Sequence, residues 1–517
     1  MTSQPVGGFM TELHGTTADH SLEGGPGDDR LYGGGGDDRL SGKAGNDTLY
    51  GGAGNDRIHG NADHDKAFGG TGTDFMTGGR GSDRIFGEAG DDRIDGNEGN
   101  DYLWGGTGND RINAGLGADH VGGDSGNDLI YAGAGNDWAE GGDGADVIFG
   151  NSGDDRLDGQ RGNDVIHGGA GDDHLLAGRG SDIVYGGRGD DILETSAESK
   201  YTPSDTFYGG DGNDTFIDAV HYDSGTSYLS WAAAIVSFND GGNVGVSVDF
   251  AAGTATRSGE VDILLNIGAV EGSYYDDVVI CTDVNVQTPD GPVTLGYRIS
   301  GLDGDDTIIG AGGGDLIFGG DGDDYLDSRR DSLFANDDGY GGNGNDILLN
   351  FGVADGGAGD DVVTVRLHDL FGTAYGGDGN DTLTGLGSSN LFGGNGDDVL
   401  SAQGQHSFEL YGGSGIDRFE IAPRGPYSES TMVEIGDFDQ FAGEMVDVSA
   451  IDADPATPGD QAFVWKADEA LTGPGQLGYQ LADNGVLISA TVDGSDTPSL
   501  QILVLGLTTF SEEWIEL

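Results

Sequence analysis

From Gly24 to Glu194 the chain sets six polar or glycine positions against a triplet whose central residue is aliphatic or Met. Leu31, Leu40, Leu49 and Ile58 stand nine apart, and the series continues to Val184 and Leu193. That period fits no helix and no ordinary strand. The stretch divides without a gap into nineteen nonapeptides, the first GGPGDDRLY and the last GGRGDDILE. Position six is Asp in all nineteen, and position four is Gly in all but one, where Asp63 replaces it. A degenerate copy, GTTADHSLE from Gly15, precedes them and reads as a terminal cap.

The pattern predicts its own elements. The six residues GGxGxD are turn-like, since Gly takes φ > 0 freely. The remaining three suffice for one short strand, its central side chain inward and its neighbours outward. Position nine adds a longer period. Tyr32, Tyr50, Phe68, Phe86 and Trp104 are 18 apart, and the intervening Ser41, His59, Thr77, Asp95 and Asn113 are polar. Tyr131 follows Trp104 by 27 residues, and Phe149, His167 and Tyr185 then resume the spacing of 18, which reads as a phase slip. Two turns and two strands thus close one coil, and coils stack at about 4.8 Å. The expected fold is all-β, a parallel β-roll solenoid.

The nonapeptide returns at Gly209, three times from Gly301 to Asp327, and singly at Gly341, Gly356, Gly376, Gly393 and Gly412. The expected organisation is an N-terminal cap (1–23), a first roll (24–194), a linker and β-insert with one repeat (195–300), an interrupted second roll (301–420) and a C-terminal β domain (421–517).

Charge sharpens the picture. The chain has 92 acidic and 22 basic residues, a formal net charge of −70. Such a field disfavours nucleic acid and anionic membranes as partners, and it needs cations if the folded state is not to repel itself. Carboxylates and carbonyls without soft ligands suit Ca²⁺. In stacked turns, the turn of one nonapeptide faces the turn two copies on, and both offer oxygens to the gap. At millimolar Ca²⁺ and Kd near 10⁻³–10⁻⁴ M, each ion stabilises by roughly 0.4–1.4 kcal/mol. The single Cys281 excludes an intrachain disulfide. The start, MTSQPVGGFMTELHG, lacks the basic and apolar regions of a cleavable export signal, and no apolar run is long enough for a membrane span.

The repeat GGxGxDxUx resembles the RTX (repeats-in-toxin, hemolysin-type) calcium-binding β-roll. The resemblance implies that the position-six Asp and the carbonyls at positions two and four of one turn share an ion with positions one, three and five of the turn two repeats on. The metal-ligating residues are then Asp29, Asp38, Asp47, Asp56, Asp65, Asp74, Asp83, Asp92, Asp101, Asp110, Asp119, Asp128, Asp137, Asp146, Asp155, Asp164, Asp173, Asp182 and Asp191 in the first array. Asp214, Asp306, Asp315, Asp324, Asp346, Asp361, Asp381, Asp398 and Asp417 follow in the second. At position five Asn46, Asn55, Asn100, Asn109, Asn127, Asn136 and Asn163 join them. Position five departs from Asn or Asp at His64, Thr73, Ser82, Ala118, Ala145 and Ser181, where weaker sites are expected. The repeat GNADHDKAF, Gly60–Phe68, departs most and is expected to be distorted or ion-poor.

Val244–Ile280 resembles a β-insert found between RTX arrays. Residues 421–517, with VEIGDF, VDVSAI and LQILVLGL, resemble the C-terminal domain of serralysin-type secreted proteins, and the final EEWIEL looks like an uncleaved type I secretion signal. The resemblance implies export through type I machinery and an extracellular or cell-surface location. No enzyme is expected: HExxH is absent, GDSG at Gly123–Gly126 is positions one to four of a nonapeptide, and no repeat-free stretch would house a catalytic domain of usual size. The function expected is calcium-dependent folding outside the cell, serving adhesion, surface-layer or matrix association. The alternative is an accessory or degenerate relative of an RTX hydrolase or polysaccharide-modifying enzyme. Beside the aromatic row, Arg30, Lys66 and Arg84 suggest a cation–π ladder for a glycan or cell-surface partner, against a plain packing ladder. The outward Leu129, Val147, Val165 and Ile183 are expected to be covered by the second roll or the C-terminal region.

Overall fold

A computed structural model of the chain describes residues 10–195, 205–217, 234–238, 246–250, 252–257, 260–265, 267, 269–281, 285–288, 291–294, 296–329, 337–366, 371–403, 407–422, 431–451, 462–492 and 498–517. They are almost wholly strand and turn, with one short 3-10 helix at Glu512–Trp514. Among them no helix is long and apolar enough to cross a membrane. The chain forms two compact units, one of residues 1–240 and 253–270, the other of residues 241–252 and 271–517.

In the first unit each nonapeptide contributes one strand, which pairs in parallel with the strand two copies on. Arg30–Gly35 pairs with Thr48–Ala53, and Arg39–Ala44 with Arg57–Ala62. Odd copies therefore build one sheet and even copies the other, as the two-nonapeptide coil requires. Position eight of every copy, from Leu31 to Leu193, is buried between them. The strands are longer than the triplet predicts. Most span six residues, positions seven to nine and on through positions one to three, as in Arg30–Gly35. Positions two and three keep the ladder register, Gly34 opposite Gly52 and Gly35 opposite Ala53. The strand thus runs into what the sequence reads as turn, because Gly34 at φ +104° bends the chain without leaving the ladder.

The aromatic row shows no slip of register. His14, Tyr32, Tyr50, Phe68 and Phe86 stack on the odd sheet with centroids 4.6–5.1 Å apart. Trp104 ends that stack and lies over Gly122, where an added Cβ would come within 1.2 Å of its ring. Tyr131 pairs with Asn113, not with Trp104. It begins a second stack, Tyr131, Phe149, His167, Tyr185 and Tyr208, on the even sheet. The spacing of 27 is therefore a change of sheet with pairing intact. The insert continues this unit: Ala234–Ser237 joins the even sheet and Glu260–Leu265 the odd one.

The repeats of the second unit pair in parallel in the same way, while Gln476–Ala482, Gly485–Thr491 and Leu500–Leu505 pair antiparallel, and its acidic turns are one-sided. Its acidic turns precede the strands Thr307–Ile309, Tyr325–Asp327, Ile347–Phe351, Val362–Val365, Thr382–Gly385, Val399–Ala402 and Arg418–Ile421, which form one sheet. Beyond Asp337 the opposite turns carry no position-six Asp, and Phe351, Val365, Ala402, Phe408 and Ile421 are buried near that edge. Thr431–Ile435 and Leu500–Leu505 extend one sheet, and Met445–Asp447 and Ile515–Glu516 the other. The last strand is tied down by Arg418, which donates to Asp447 and, at 2.7 Å, to Glu516.

Candidate metal centres

The position-six carboxylates form two ladders in the first unit. Asp29 N–H donates to Asp47 Oδ1 at 2.7 Å, Asp47 to Asp65 at 2.8 Å, and so along the odd copies. The even copies repeat it, with Asp110 N–H on Asp128 Oδ1 at 2.7 Å. Every position-six Asp from Asp29 to Asp191 is buried. The second unit carries one long ladder, from Asp277 through Asp306, Asp324, Asp346, Asp361, Asp381 and Asp398 to Asp417. A short one links Tyr297, Asp315 and Asp337 on the opposite edge.

The second carboxylate oxygen is the telling one. In 25 of these aspartates, 18 between Asp38 and Asp191 and seven between Asp306 and Asp417, Oδ2 is buried without a hydrogen-bond partner. A buried, unpaired carboxylate oxygen costs far more than one turn contributes. Burial accordingly pushes these groups up: Asp65 and Asp110 to about 7, Asp164, Asp191 and Asp306 to about 8. The amide of the preceding coil pulls each back, and neighbouring carboxylates add to the rise.

What surrounds Oδ2 is more oxygen. A Cβ built on Gly51 would lie 2.3 Å from Asp56 Oδ2 and 2.5 Å from Gly69 O, so the carboxylate faces the position-one carbonyl two copies on. At position four, a Cβ on Gly72 would lie 2.1 Å from Gly54 O, so that carbonyl too points into the gap between coils. Among the described residues no three His, Cys, Asp or Glu side chains gather as a metal cluster. Each gap instead offers a carboxylate oxygen among backbone carbonyls. That donor set fits Ca²⁺, which takes six to eight oxygens in flexible geometry, and lacks the nitrogen or sulfur that zinc prefers.

Position five does different work. The side-chain oxygens of Asn46, Asn55, Asn100, Asn109, Asn127, Asn136 and Asn163 each accept the position-five amide of the next coil on the same edge, at 2.7–3.1 Å. His64 and Ser82 take the same part through Nδ1 and Oγ, whereas Ala118 and Ala145 donate but have no side-chain acceptor to pass the ladder on. The repeat Gly60–Phe68, expected to be distorted or ion-poor, is not distorted. Asp63 takes φ +75° where Gly stands elsewhere, and Asp65 keeps both ladder bonds. An Asp adopts the left-handed region more readily than other non-glycine residues do.

Five position-six equivalents escape the nine-residue count. Asp205, Asp262, Asp277 and Asp337 accept the amides of Asp182, Asp214, Val246 and Asp315. Glu444 sits where the ladder would place the partner of Asp417, because Met445 pairs with Arg418. It is buried and pushed up to about 7, first by burial and then by Asp417, Asp437 and Asp439. Asp205, Asp262, Asp277 and Glu444 share the tetrapeptide Asp/Glu-x-U-x with U apolar and no preceding GGxGx, as in DTFY, DILL, DVVI and EMVD, whereas Asp337 is followed by Gly339 at that position and carries no such signal. Asp277 differs in that Ser273 N–H and Oγ satisfy its carboxylate at 2.6 and 2.8 Å. Cys281 is buried, and burial holds its thiol well above the usual range.

The aromatic stacks offer no open ring faces along their length, since successive planes lie within 9° of parallel. Among the described residues the cation–π contacts are Arg93 on Phe75, Arg111 on Tyr131 and Arg298 on Phe318; Arg30, Lys66 and Arg84 make none. The geometry is that of a packing ladder.

A family model described as the RTX calcium-binding nonapeptide repeat (four copies) matches residues 14–49, 32–67, 41–76, 68–103, 95–130, 122–157, 131–166, 158–193, 204–217, 298–332 and 375–406, together about half of the chain. No curated protein matches. Among solved structures, the extracellular lipase LipA from Serratia marcescens is similar at 14% identity and a TM-score of 0.14, over 77% of this chain. The chain spans 40% of that lipase's length.

Proposed function

The chain belongs to the RTX calcium-binding nonapeptide repeat family, and from that premise we propose that it is a secreted, non-enzymatic protein whose rolls close on Ca²⁺ outside the cell. Its nonapeptide turns bind Ca²⁺ at many sites, and RTX proteins are typically secreted. The observation that carries the proposal is the set of 25 buried Oδ2 atoms without partners among turn carbonyls. At cytosolic Ca²⁺ these carboxylates repel one another and stay hydrated, which favours an open chain. At extracellular Ca²⁺ each gap gains an ion and the coils stack. Nonapeptides and their β-extensions account for most of the described chain, which supports a scaffold role in adhesion, surface-layer or matrix association. The final segment, which resembles a type I signal, would direct export.

Limited proteolysis at submicromolar and at millimolar free Ca²⁺ tests the proposal. Residues 24–194 are expected to be cut throughout at the low level and protected at the high one. Equal protection at both levels would remove the reason for folding outside the cell.

A further inference from the structure

The outer face of the even sheet in the first unit changes character after Arg111. Its outward side chains stand at positions seven and nine, and the earlier coils carry Arg39, Arg57, Arg93 and Asp95 there. The next four coils carry Leu129 and Tyr131, Val147 and Phe149, Val165 and His167, then Ile183 and Tyr185. The register aligns them as two unbroken columns, one aliphatic and one of stacked rings. Ile183 is exposed and the other seven are half-buried. Burial holds the His167 imidazole below its usual range, so it adds no charge near neutral pH. The odd sheet over the same coils carries Glu140, Arg156, Asp158 and Glu194. Another charge-free run, Ile347 to Ser401 in the second unit, is half hydroxyl, with Thr364, Thr382, Thr384 and Ser401 in these positions. In a chain that is 22% charged, a contiguous apolar face of this kind marks an interaction surface.

From this face we propose that a second copy of the chain docks on it, roll against roll in antiparallel order. The order of the residues argues for a self-complementary contact. Leu129, Val147, Val165 and Ile183 read alike from either end, a larger aliphatic outside and two valines between. Tyr131, Phe149, His167 and Tyr185 do the same, with tyrosines outside and two rings without hydroxyls between. An isologous contact asks for this, because residue i meets j and j meets i. A two-fold axis between the sheets, along the strands and midway between Val147–Ser152 and Val165–Ala170, sets Val147 against the second copy's Val165. It sets Phe149 against the second copy's His167 as well. The flanking coils then meet, Arg111 and Asn113 of each copy against Thr206 and Tyr208 of the other. Polar residues thus ring an apolar centre, the usual anatomy of an interface. Six strands at about 4.8 Å, each with about 16 Å of outward chain, give roughly 450 Å² of face. Two such faces bury on the order of 1,000 Å², near the lower bound for a specific contact, so the dimer is weak and concentration-dependent. The ladder aspartates lie in the turns at the sheet's edge, Asp128 just before Leu129–Ala134, and bound Ca²⁺ reduces their repulsion between copies. The inference therefore rests on the calcium-loaded roll, whose formation is read separately by circular dichroism.

The test is analytical sedimentation of the full chain in CaCl₂ across a concentration series. The chain is expected to be monomeric at about 1 μM and largely dimeric at about 100 μM, the range of a weak contact of this size. Val147→Lys/Val165→Lys sets lysine against lysine across the axis. It should weaken association at least tenfold with an unchanged far-ultraviolet spectrum and Ca²⁺ uptake, since this sheet already holds Arg39 beside Arg57 in register. Val147→Lys/Val165→Glu sets each lysine against a glutamate of the other copy and should restore most of the association. Trp138→Lys, at an exposed ring on the odd sheet, should associate as the parent chain does. A folded chain that stays monomeric at the highest concentration would overturn the inference. Undiminished association of the double-lysine variant, or its loss in Trp138→Lys, would overturn it too. A lysine–glutamate variant no better than the double-lysine one would overturn the antiparallel order. A chain that gains no β-signal in CaCl₂ would instead refute the calcium reading beneath the inference.

Discussion

Asp110 holds two jobs at once. Its Oδ1 accepts the Asp92 amide at 2.7 Å, and its Oδ2 is buried without a partner. An Asp110→Asn side chain keeps the first job and loses the second. In EGTA the variant should be neutral or slightly more stable, since a buried carboxylate is gone. In Ca²⁺ it should bind about one ion fewer and lose roughly 0.4–1.4 kcal/mol, the contribution of one site. Equilibrium dialysis and thermal melts in both conditions check the reversal of sign. The raised pKa values give a second prediction. Without ions the folded carboxyls of Asp65 and Asp164 hold protons to about 7 and about 8, whereas an unfolded Asp releases its proton near 3.9. Between those values the folded state binds more protons, so its ion-free stability falls as pH rises from about 4 to about 8. In EGTA the roll should gain β-structure on acidification from pH 8 to pH 5, and Ca²⁺ binding near pH 7 should release protons. Binding heats that do not vary between buffers of different ionisation enthalpy would rule out the release.

The strand and its turn are one element here, and glycine at position four is the joint. Gly72 adopts φ +127°, and a Cβ there would come within 2.1 Å of Gly54 O. Gly72→Ala should destabilise the first unit by more than about 1 kcal/mol, and thermal melting in CaCl₂ measures it. Asp63 fills the same position only at φ +75°, so a side chain at Gly72 would require the backbone to move from φ +127° against the coil stacked beneath it. At this scale much was legible in the sequence. The nine-residue clock gave the two sheets, the inward position eight and the buried Asp at position six. The strand length was not legible, because GGx reads as turn by propensity while ladder bonds hold it in strand. Nor was the change of sheet at Trp104. The spacing of 27 records only that an odd number of repeats separates the rings, and covering Gly122 is a packing fact. Asp205, Asp262, Asp337 and Glu444 stayed hidden because pairing in the ladder ignores the length of the chain looped out between strands.

Over the whole molecule the two units differ in how their coils close. The first has acidic turns on both edges. The second has them mainly on one, with Phe351, Val365, Phe408 and Ile421 buried toward the other. Apolar burial does not depend on Ca²⁺, so the second unit should keep amide protection to lower free Ca²⁺ than the first. Hydrogen exchange across a Ca²⁺ series would show it, and simultaneous loss in both units would refute it. Removing residues 468–517 takes away Leu500–Leu505 and Ile515–Glu516, strands of the second unit's two sheets. That truncation should disturb the second unit and stop export, while the first unit still binds Ca²⁺ and folds. The central claim is that buried aspartates hold the coils together by sharing ions with turn carbonyls. Counting bound Ca²⁺ against far-ultraviolet circular dichroism in one titration tests it most directly. The account predicts on the order of 25 ions taken up as the β-signal appears, and the loss of both in EGTA. A full β-signal in EGTA, or a folded protein holding only a few ions, would contradict it.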